Sequence, residues 1–331
     1  MARDFSYYIT RFFQDYLPGQ KGASEHTVAS YRDAFVILIQ YLASVHGEAL
    51  TLNSFSKEVI ENFLSWLEQE RNCKISTRNQ RLAAIQTFFR YIQGRAPEYY
   101  ELCLSILSIE PKQSPSAVVS YLSKDEISFL LNLPSYQKPS GKRDLAILAL
   151  LYDSGARVQE LIELRLENLR LDNTPVIEVC GKGNKKRWIP ISQNTCTILK
   201  SYIDSAFITG NSDFVFKNKQ KNKLTRVGVS YIINKYIKIG KSEKPGYFPC
   251  TVSPHTFRHS KAMHLLESGV NLVYIRDFLG HQSITTTEIY AKANPEIKRK
   301  YIEENAISTN LDQSYNTTQK GELINWLKQN I

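Results

Sequence analysis

Four of the six histidines lie between positions 255 and 281. The first stands in Ser253-Pro254-His255-Thr256-Phe257-Arg258-His259, where serine can cap a helix and proline can take its first turn. Residues three apart share a helix face, so His255 and Arg258 point the same way. Gly280 can end a later helix, His281 follows it directly, and Tyr290 comes nine residues on, in a segment opened by Ser283. His255 and His259, with Cys250 near, could hold zinc, but there is no HExxH and the arginine between them would repel a cation. No GxSxG elbow marks a serine hydrolase, and no paired carboxylates mark a two-metal nuclease. Taken one at a time, these histidines also fit satisfied core positions.

Whatever they do, larger elements must position them. The chain has 331 residues, enough for roughly two domains at about 150 residues each. Hydrophobic residues make up 42%, so a proper core is expected and wholesale disorder is not. Pure apolar runs such as 145–152 fall far short of a membrane span, and the start has no apolar signal region. Five cysteines without a CxxC pair suggest reduced thiols in a reducing compartment. A soluble, cytoplasmic protein with no membrane partner is the expectation.

The net charge of +10 is unevenly spread. Residues 1–110 hold 11 basic and 12 acidic side chains, and residues 111–331 hold 31 and 20. A basic second half points to nucleic acid, because each neutralised phosphate releases counterions.

Along the chain, apolar spacing predicts helices over 31–43, 57–71 and 77–93. Ser24 and Thr27 are cap candidates for the first, and Gly94 stops the third. Arg78 and Arg81 share a face of that third helix, where they could meet a phosphate backbone. Residues 108–121, with two prolines and no helical period, read as a linker. Ser123 and Glu126 then open a helix, and another covers 142–152. Residues 175–180 and 186–191 read as strands of a hairpin, joined by Gly181-Lys182-Gly183-Asn184-Lys185. Helices resume near Thr225. The fold class is therefore mainly α with a small antiparallel β-sheet.

Gly155-Ala156-Arg157-Val158-Gln159-Glu160, Gly181-Lys182-Gly183, His255-x-x-Arg258 and Leu279-Gly280-His281 with Tyr290 together resemble the ordered signature of the tyrosine recombinases, the phage integrase and Xer family. The resemblance covers residues 5–305. It implies a helical core-binding domain over 1–107, the linker 108–121, a catalytic domain over 122–307 and a tail over 308–331.

That resemblance also implies the site. Arg157 and Arg258 would hold the scissile phosphate bidentately without metal, and His281 would add a hydrogen bond. Tyr290 would be the nucleophile, giving a 3′-phosphotyrosine and a free 5′-hydroxyl, with His255 as the general base. Lys182 matches the general acid for the departing 5′-oxygen, and Glu160 the supporting acid. The tyrosyl link conserves the energy of the phosphodiester, so no cofactor, metal or ATP is expected; no GxxxxGK[ST] loop is present.

Arg226 would open a helix set into the major groove, while Lys185, Lys186 and Arg187 would touch phosphates. The implied partners are duplex DNA with inverted half-sites and a homotetramer on two duplexes. With about 110 residues before the linker, no arm-binding domain is expected, which favours a compact Xer-like recombinase. The tail carries an apolar stripe, Leu323, Ile324 and Leu327 with Trp326 beside it, that could pass to a neighbouring protomer or fold back. The stretch 260–264 departs from the small-residue run expected there. Two other functions are compatible with the same motifs: type IB topoisomerase-like relaxation and site-specific binding without cleavage.

Overall fold

The computed structural model describes residues 4–47, 50–113, 119–181, 183–248, 251–281, 283–293, 299 and 317–330. The chain divides into two compact units at 117/118.

In the first unit, α1 (Phe5–Arg11) runs into a π-helical segment, Phe12–Gln20, where Pro18 lacks the N–H an α ladder needs. α2 (Glu25–His46), α3 (Lys57–Gln69), α4 (Ile75–Gln93) and α5 (Tyr100–Leu107) follow. Ser24 caps α2 by accepting the Thr27 N–H. The expected face of α4 is the buried one: Leu82, Ile85, Phe88, Phe89 and Ile92. Edge-to-face packing of Phe88 against Phe12 and Phe35 holds the centre, with ring centroids 5.3 and 5.2 Å apart. One segment, Glu25–Val45 of α2, is long and apolar enough to cross a membrane. Here its Ala34, Phe35, Leu38 and Leu42 are buried in the unit's core.

The two arginines expected to face DNA do not stand clear of this unit. The Arg78 side chain is 12% exposed and lies 3.3 Å from the Glu68 carboxylate, while Arg81 donates to Cys73 Sγ at 3.0 Å. Much of the expected linker is also packed. Ile109 is buried in the first core, and the Lys112 backbone exchanges two hydrogen bonds with Asn79. Leu122 joins the second core, with Val119 and Tyr121 packed beside a smaller cluster.

The second unit is built around α7 (Pro139–Ser154), buried on nearly every side through Leu145–Leu151. Each such leucine removed from water contributes about 2 kcal/mol. α6 (Lys124–Asn132) opens on the expected capping box of Ser123 and Glu126. α8 (Val158–Ile162), α9 (Gln193–Ser205) and α10 (Arg226–Glu243, capped by Thr225) complete the packing. The expected hairpin is β2 (Val176–Cys180) against β3 (Lys186–Pro190), in register Ile177↔Ile189 and Val179↔Arg187. A two-residue strand, β1 (Leu169–Arg170), pairs with β2 and makes the sheet three-stranded, antiparallel, in order β1-β2-β3.

α11 (Pro254–Glu267), α12 (Leu272–Leu279) and α13 (Thr285–Ala293) share a small core of Ala262, Met263, Leu266, Ile275, Leu279 and Tyr290. The unusual stretch 260–264 is used fully. Ser260 Oγ accepts the Leu122 N–H, Lys261 pairs with Asp153, and His264 Nδ1 lies 2.9 Å from the Tyr152 hydroxyl. α14 (Thr317–Asn330) exposes Leu323, Ile324, Trp326 and Leu327. Residues 294–298 and 300–316, the end of the expected catalytic domain and the start of the expected tail, fall outside the described residues.

Candidate active site

The site is organised by the end of α12. An α-helix leaves its last carbonyls unpaired and carries partial negative charge there. Gly280 closes α12 in the left-handed conformation, φ +66°, turning the chain so that Phe278, Leu279 and Gly280 offer consecutive carbonyls. Each accepts a different guanidinium: Phe278 O from Arg187 Nε at 3.3 Å, Leu279 O from Arg258 Nη2 at 2.7 Å, and Gly280 O from Arg157 Nη2 at 3.3 Å.

Arg258 is the fifth residue of α11, whose start is set by Ser253 and Pro254 as expected, with Thr256 completing the capping box. It is 3% exposed and also donates to Gly155 O at 2.7 Å. Burial, then the charge of Arg157, lowers its pKa to about 10, with Glu160 opposing. Arg157 is the N-cap of α8 and remains more open, its side chain 35% exposed. Glu160, 4% exposed, accepts the Arg157 backbone N–H and one guanidinium nitrogen, at 2.8 and 2.9 Å. Burial would raise the Glu160 pKa, but hydrogen bonds and charge from Arg187, then bonds from Arg157, hold it below the ordinary carboxylate range. Three guanidiniums against one carboxylate leave this group with two uncompensated positive charges.

The imidazoles stand on the other side. His281 Nδ1 lies 2.9 Å from the hydroxyl of the fully buried Thr287, which fixes the ring and leaves Nε2 free of this contact. Burial, then the charges of Arg258 and Arg157, pulls its pKa down to about 4, so it is neutral at pH 7. The Tyr290 ring stacks on His281 at 6.5 Å and is 1% exposed. Its hydroxyl is 2.9 Å from His259 Nδ1.

That last contact bears on the choice of general base. The ring touching the phenol is His259, not His255, which sits exposed at the start of α11 with its ring 6.4 Å from that of His259. Desolvation on the protein side and the charges of Arg258 and Arg157 lower the His255 pKa. Burial, then His255 and Arg258, lowers that of His259. Desolvation raises the Tyr290 pKa, with Arg258 partly opposing. The sequence did carry a signal: His259 lies four residues after His255, one turn on.

A cleft of about 590 Å³ opens beside these groups, lined by Arg157, Gly181, Lys185, Lys186, Arg187, Arg276, Asp277, Gly280, His281 and Thr286. Lys182 lies outside the described residues. Its neighbours Gly181 and Lys185, joined by a Gly181 N–H bond to Lys185 O at 2.8 Å, line the cleft. Lys185 and Lys186 line the cleft, and Lys186 also pairs with Glu178 at 3.1 Å. Arg187 lines it too, with both its terminal nitrogens on Glu160 at 2.9 Å. Arg226, at the start of α10, donates to Gln159, two residues along from Arg157. Among the described residues no group of three His, Cys, Asp or Glu could hold a metal ion.

The Phage integrase family model matches residues 120–296, and that of the Phage integrase, N-terminal SAM-like domain matches 9–95. Tyrosine recombinase XerD of Listeria monocytogenes is 31% identical over 283 residues, covering 84% of this chain and 91% of the relative. Its namesake in Vibrio cholerae is 32% identical over 288 residues, covering 86% and 91%. Two solved structures share the fold. The Tn1549 transposon integrase with transposon right end DNA has a TM-score of 0.69 at 18% identity, covering 90% of this chain and 99% of that one. The XerH site-specific recombinase bound to palindromic difH has a TM-score of 0.68 at 20% identity, covering 87% and 81%.

Proposed function

Because this chain belongs to the phage integrase family of tyrosine recombinases, we propose that it is a compact, Xer-type site-specific recombinase whose nucleophile is Tyr290. Arg157 and Arg258 hold the nonbridging oxygens of the scissile phosphate, and His281 donates a further hydrogen bond from Nε2. Tyr290 attacks phosphorus; the bond to the 5′-oxygen breaks, Lys182 protonates that oxygen, and a 3′-phosphotyrosine remains. A second strand's 5′-hydroxyl then attacks the phosphotyrosine and returns the phenol. Glu160 orients Arg157.

Electrostatics supports these roles. A phosphodiester carries one negative charge, and its five-coordinate state after attack by a phenolate carries two. The net charge of the three guanidiniums and Glu160 matches the second state better than the first.

The proton of Tyr290 goes to His259, the ring within hydrogen-bond reach. An ordinary phenol and imidazole differ enough that this transfer costs about 5 kcal/mol. Burial widens the gap from both sides. The resting enzyme thus keeps its nucleophile protonated, and transfer accompanies attack. The substrate is duplex DNA with inverted half-sites, bound by a homotetramer on two duplexes in the cytoplasm. Its role is that of an integrase or transposase of a mobile element, or of an Xer-type resolving enzyme.

The observation that carries this reading is convergence: Arg157, Arg258, His281 and Tyr290, from four separate segments, meet at the end of α12. A nicked suicide site should trap a covalent protein–DNA adduct in EDTA without ATP, and Tyr290→Phe should abolish it. Adducts that require magnesium, or that persist in the variant, would refute the mechanism. Relaxation of plasmids lacking any site, by a monomer, would identify a topoisomerase instead. Specific binding with no adduct would identify a non-cleaving DNA-binding protein.

A further inference from the structure

β3 alternates Lys186 out, Arg187 in, Trp188 out and Ile189 in. Arg187 therefore lies on the inward face, opposite Val179, and its side chain is only 16% exposed. Each of its three guanidinium nitrogens has a partner. Nη1 and Nη2 sit on the two oxygens of Glu160 at 2.9 Å each, and Nε donates to Phe278 O at 3.3 Å. Gly280 packs against it so closely that a Cβ there would lie 2.9 Å from Arg187 Cζ.

The two arginines share Glu160 unequally. Arg187 grips it with a bidentate fork, whereas the Arg157 guanidinium uses Nη1 alone. A carboxylate prefers two parallel N–H donors from one guanidinium. With Arg187 gone, Glu160 is free to take Arg157 in that manner and turn it away from the cleft. Arg187 also ties the hairpin carrying the 181–185 turn to the helix end that precedes His281.

We propose that Arg187 is a positioning residue for strand cleavage: it occupies Glu160 so that the outer edge of Arg157 stays turned to the scissile phosphate, and it does not itself touch DNA. This rests on the reading of Arg157 as a phosphate ligand and Tyr290 as the nucleophile.

The test compares wild type with Arg187→Gln, Arg187→Lys, Glu160→Gln and the Arg187→Gln/Glu160→Gln double variant. It measures the single-turnover rate of adduct formation at saturating protein, and site affinity as a function of salt. Misplacing a reacting group by an ångström costs about 100-fold in rate, so Arg187→Gln should lower the adduct rate by that order, with the salt slope falling by no more than the one contact that Arg157 gives up. Arg187→Lys, which keeps the charge but not the fork, should fall between the two. Adding Glu160→Gln to Arg187→Gln should raise the rate, because the carboxylate that captures Arg157 is gone.

On a neutral methylphosphonate at the scissile position, whose five-coordinate state carries one negative charge instead of two and so draws less on Arg157, the Arg187→Gln deficit should shrink. A salt slope that stays about one below that of Glu160→Gln in the double variant, where Arg157 is free again, would make Arg187 itself a phosphate contact and overturn the proposal. An equal deficit on both substrates, or a double variant slower than Arg187→Gln, would reduce Arg187 to a structural role. Absence of adducts in wild type would instead refute the assignment of the site itself.

Discussion

Replacing Gly280 by alanine tests how rigidly the arginines are set. Gly280 has φ +66°, and an added Cβ would lie 2.9 Å from Cζ, Nε and Nη1 of Arg187. The left-handed backbone alone costs alanine about 1 kcal/mol. The contact cannot be relieved cheaply, because that guanidinium is pinned by Glu160 and Phe278. Moving it forfeits at least one charge-assisted hydrogen bond, about 2 kcal/mol. The total, about 3 kcal/mol, should lower the melting temperature of the second unit by roughly 10 °C. Gly246 of the same unit is the control, with φ +98° and nothing within 4 Å of an added Cβ. Gly246→Ala carries backbone strain without a collision, and calorimetry of both variants separates the two terms. If Gly280→Ala melts no lower than Gly246→Ala, the guanidinium is not held as the distances imply and the argument from close approach is refuted.

Other expectations follow from the same geometry. His259→Phe should slow adduct formation by about 10² to 10⁴, the range of a lost general base, and by more than His255→Phe; the reverse order would restore His255 as the base. Arg258→Lys cannot span Gly155 O and Leu279 O, which should cost about 2 kcal/mol of stability in urea unfolding and reduce adducts; wild-type stability would contradict this. His264 is 4% exposed and its pKa is pulled down to about 4, mainly by burial. The unfolded chain takes up that proton near pH 6.5, so the folded state loses stability as pH falls from about 6.5 to 4, by up to about 3 kcal/mol. His264→Asn should flatten that part of the stability curve, and an unchanged slope would show that other groups cause it.

Much of this molecule was legible from local chemistry. The caps at Ser24, Ser123, Thr225 and Ser253, the hairpin at 176–190 and the buried face of α4 depend on residues within a few positions of one another. Short spacing fixes which groups share a turn or a face. The ordered motifs, read against a known family, nominated Arg157, Glu160, Arg258, His281 and Tyr290 for the same reason. The strand β1, two residues long, had no periodicity to show and exists only through its pairing with β2.

The residues hardest to read locally are those whose partners lie far along the chain. As a basic residue in a basic hairpin, Arg187 looks like a phosphate contact; only the meeting of β3 with α8 and α12 gives it Glu160 and Phe278. The alternation with Ile189 was the local hint that it faces inward. Arg78 meets Glu68 and much of the linker meets α4 in the same way. His255 shares a helix face with Arg258 and was the reading from sequence; the contact of the phenol with His259 arises only because α13 lays Tyr290 against α11. Residue type and near spacing thus determined which groups could take part, while tertiary packing decided which of them touch. The cause is energetic: a buried charge or hydroxyl must find a partner within about 3 Å, and in a folded chain that partner comes from whichever segment lies nearest in space.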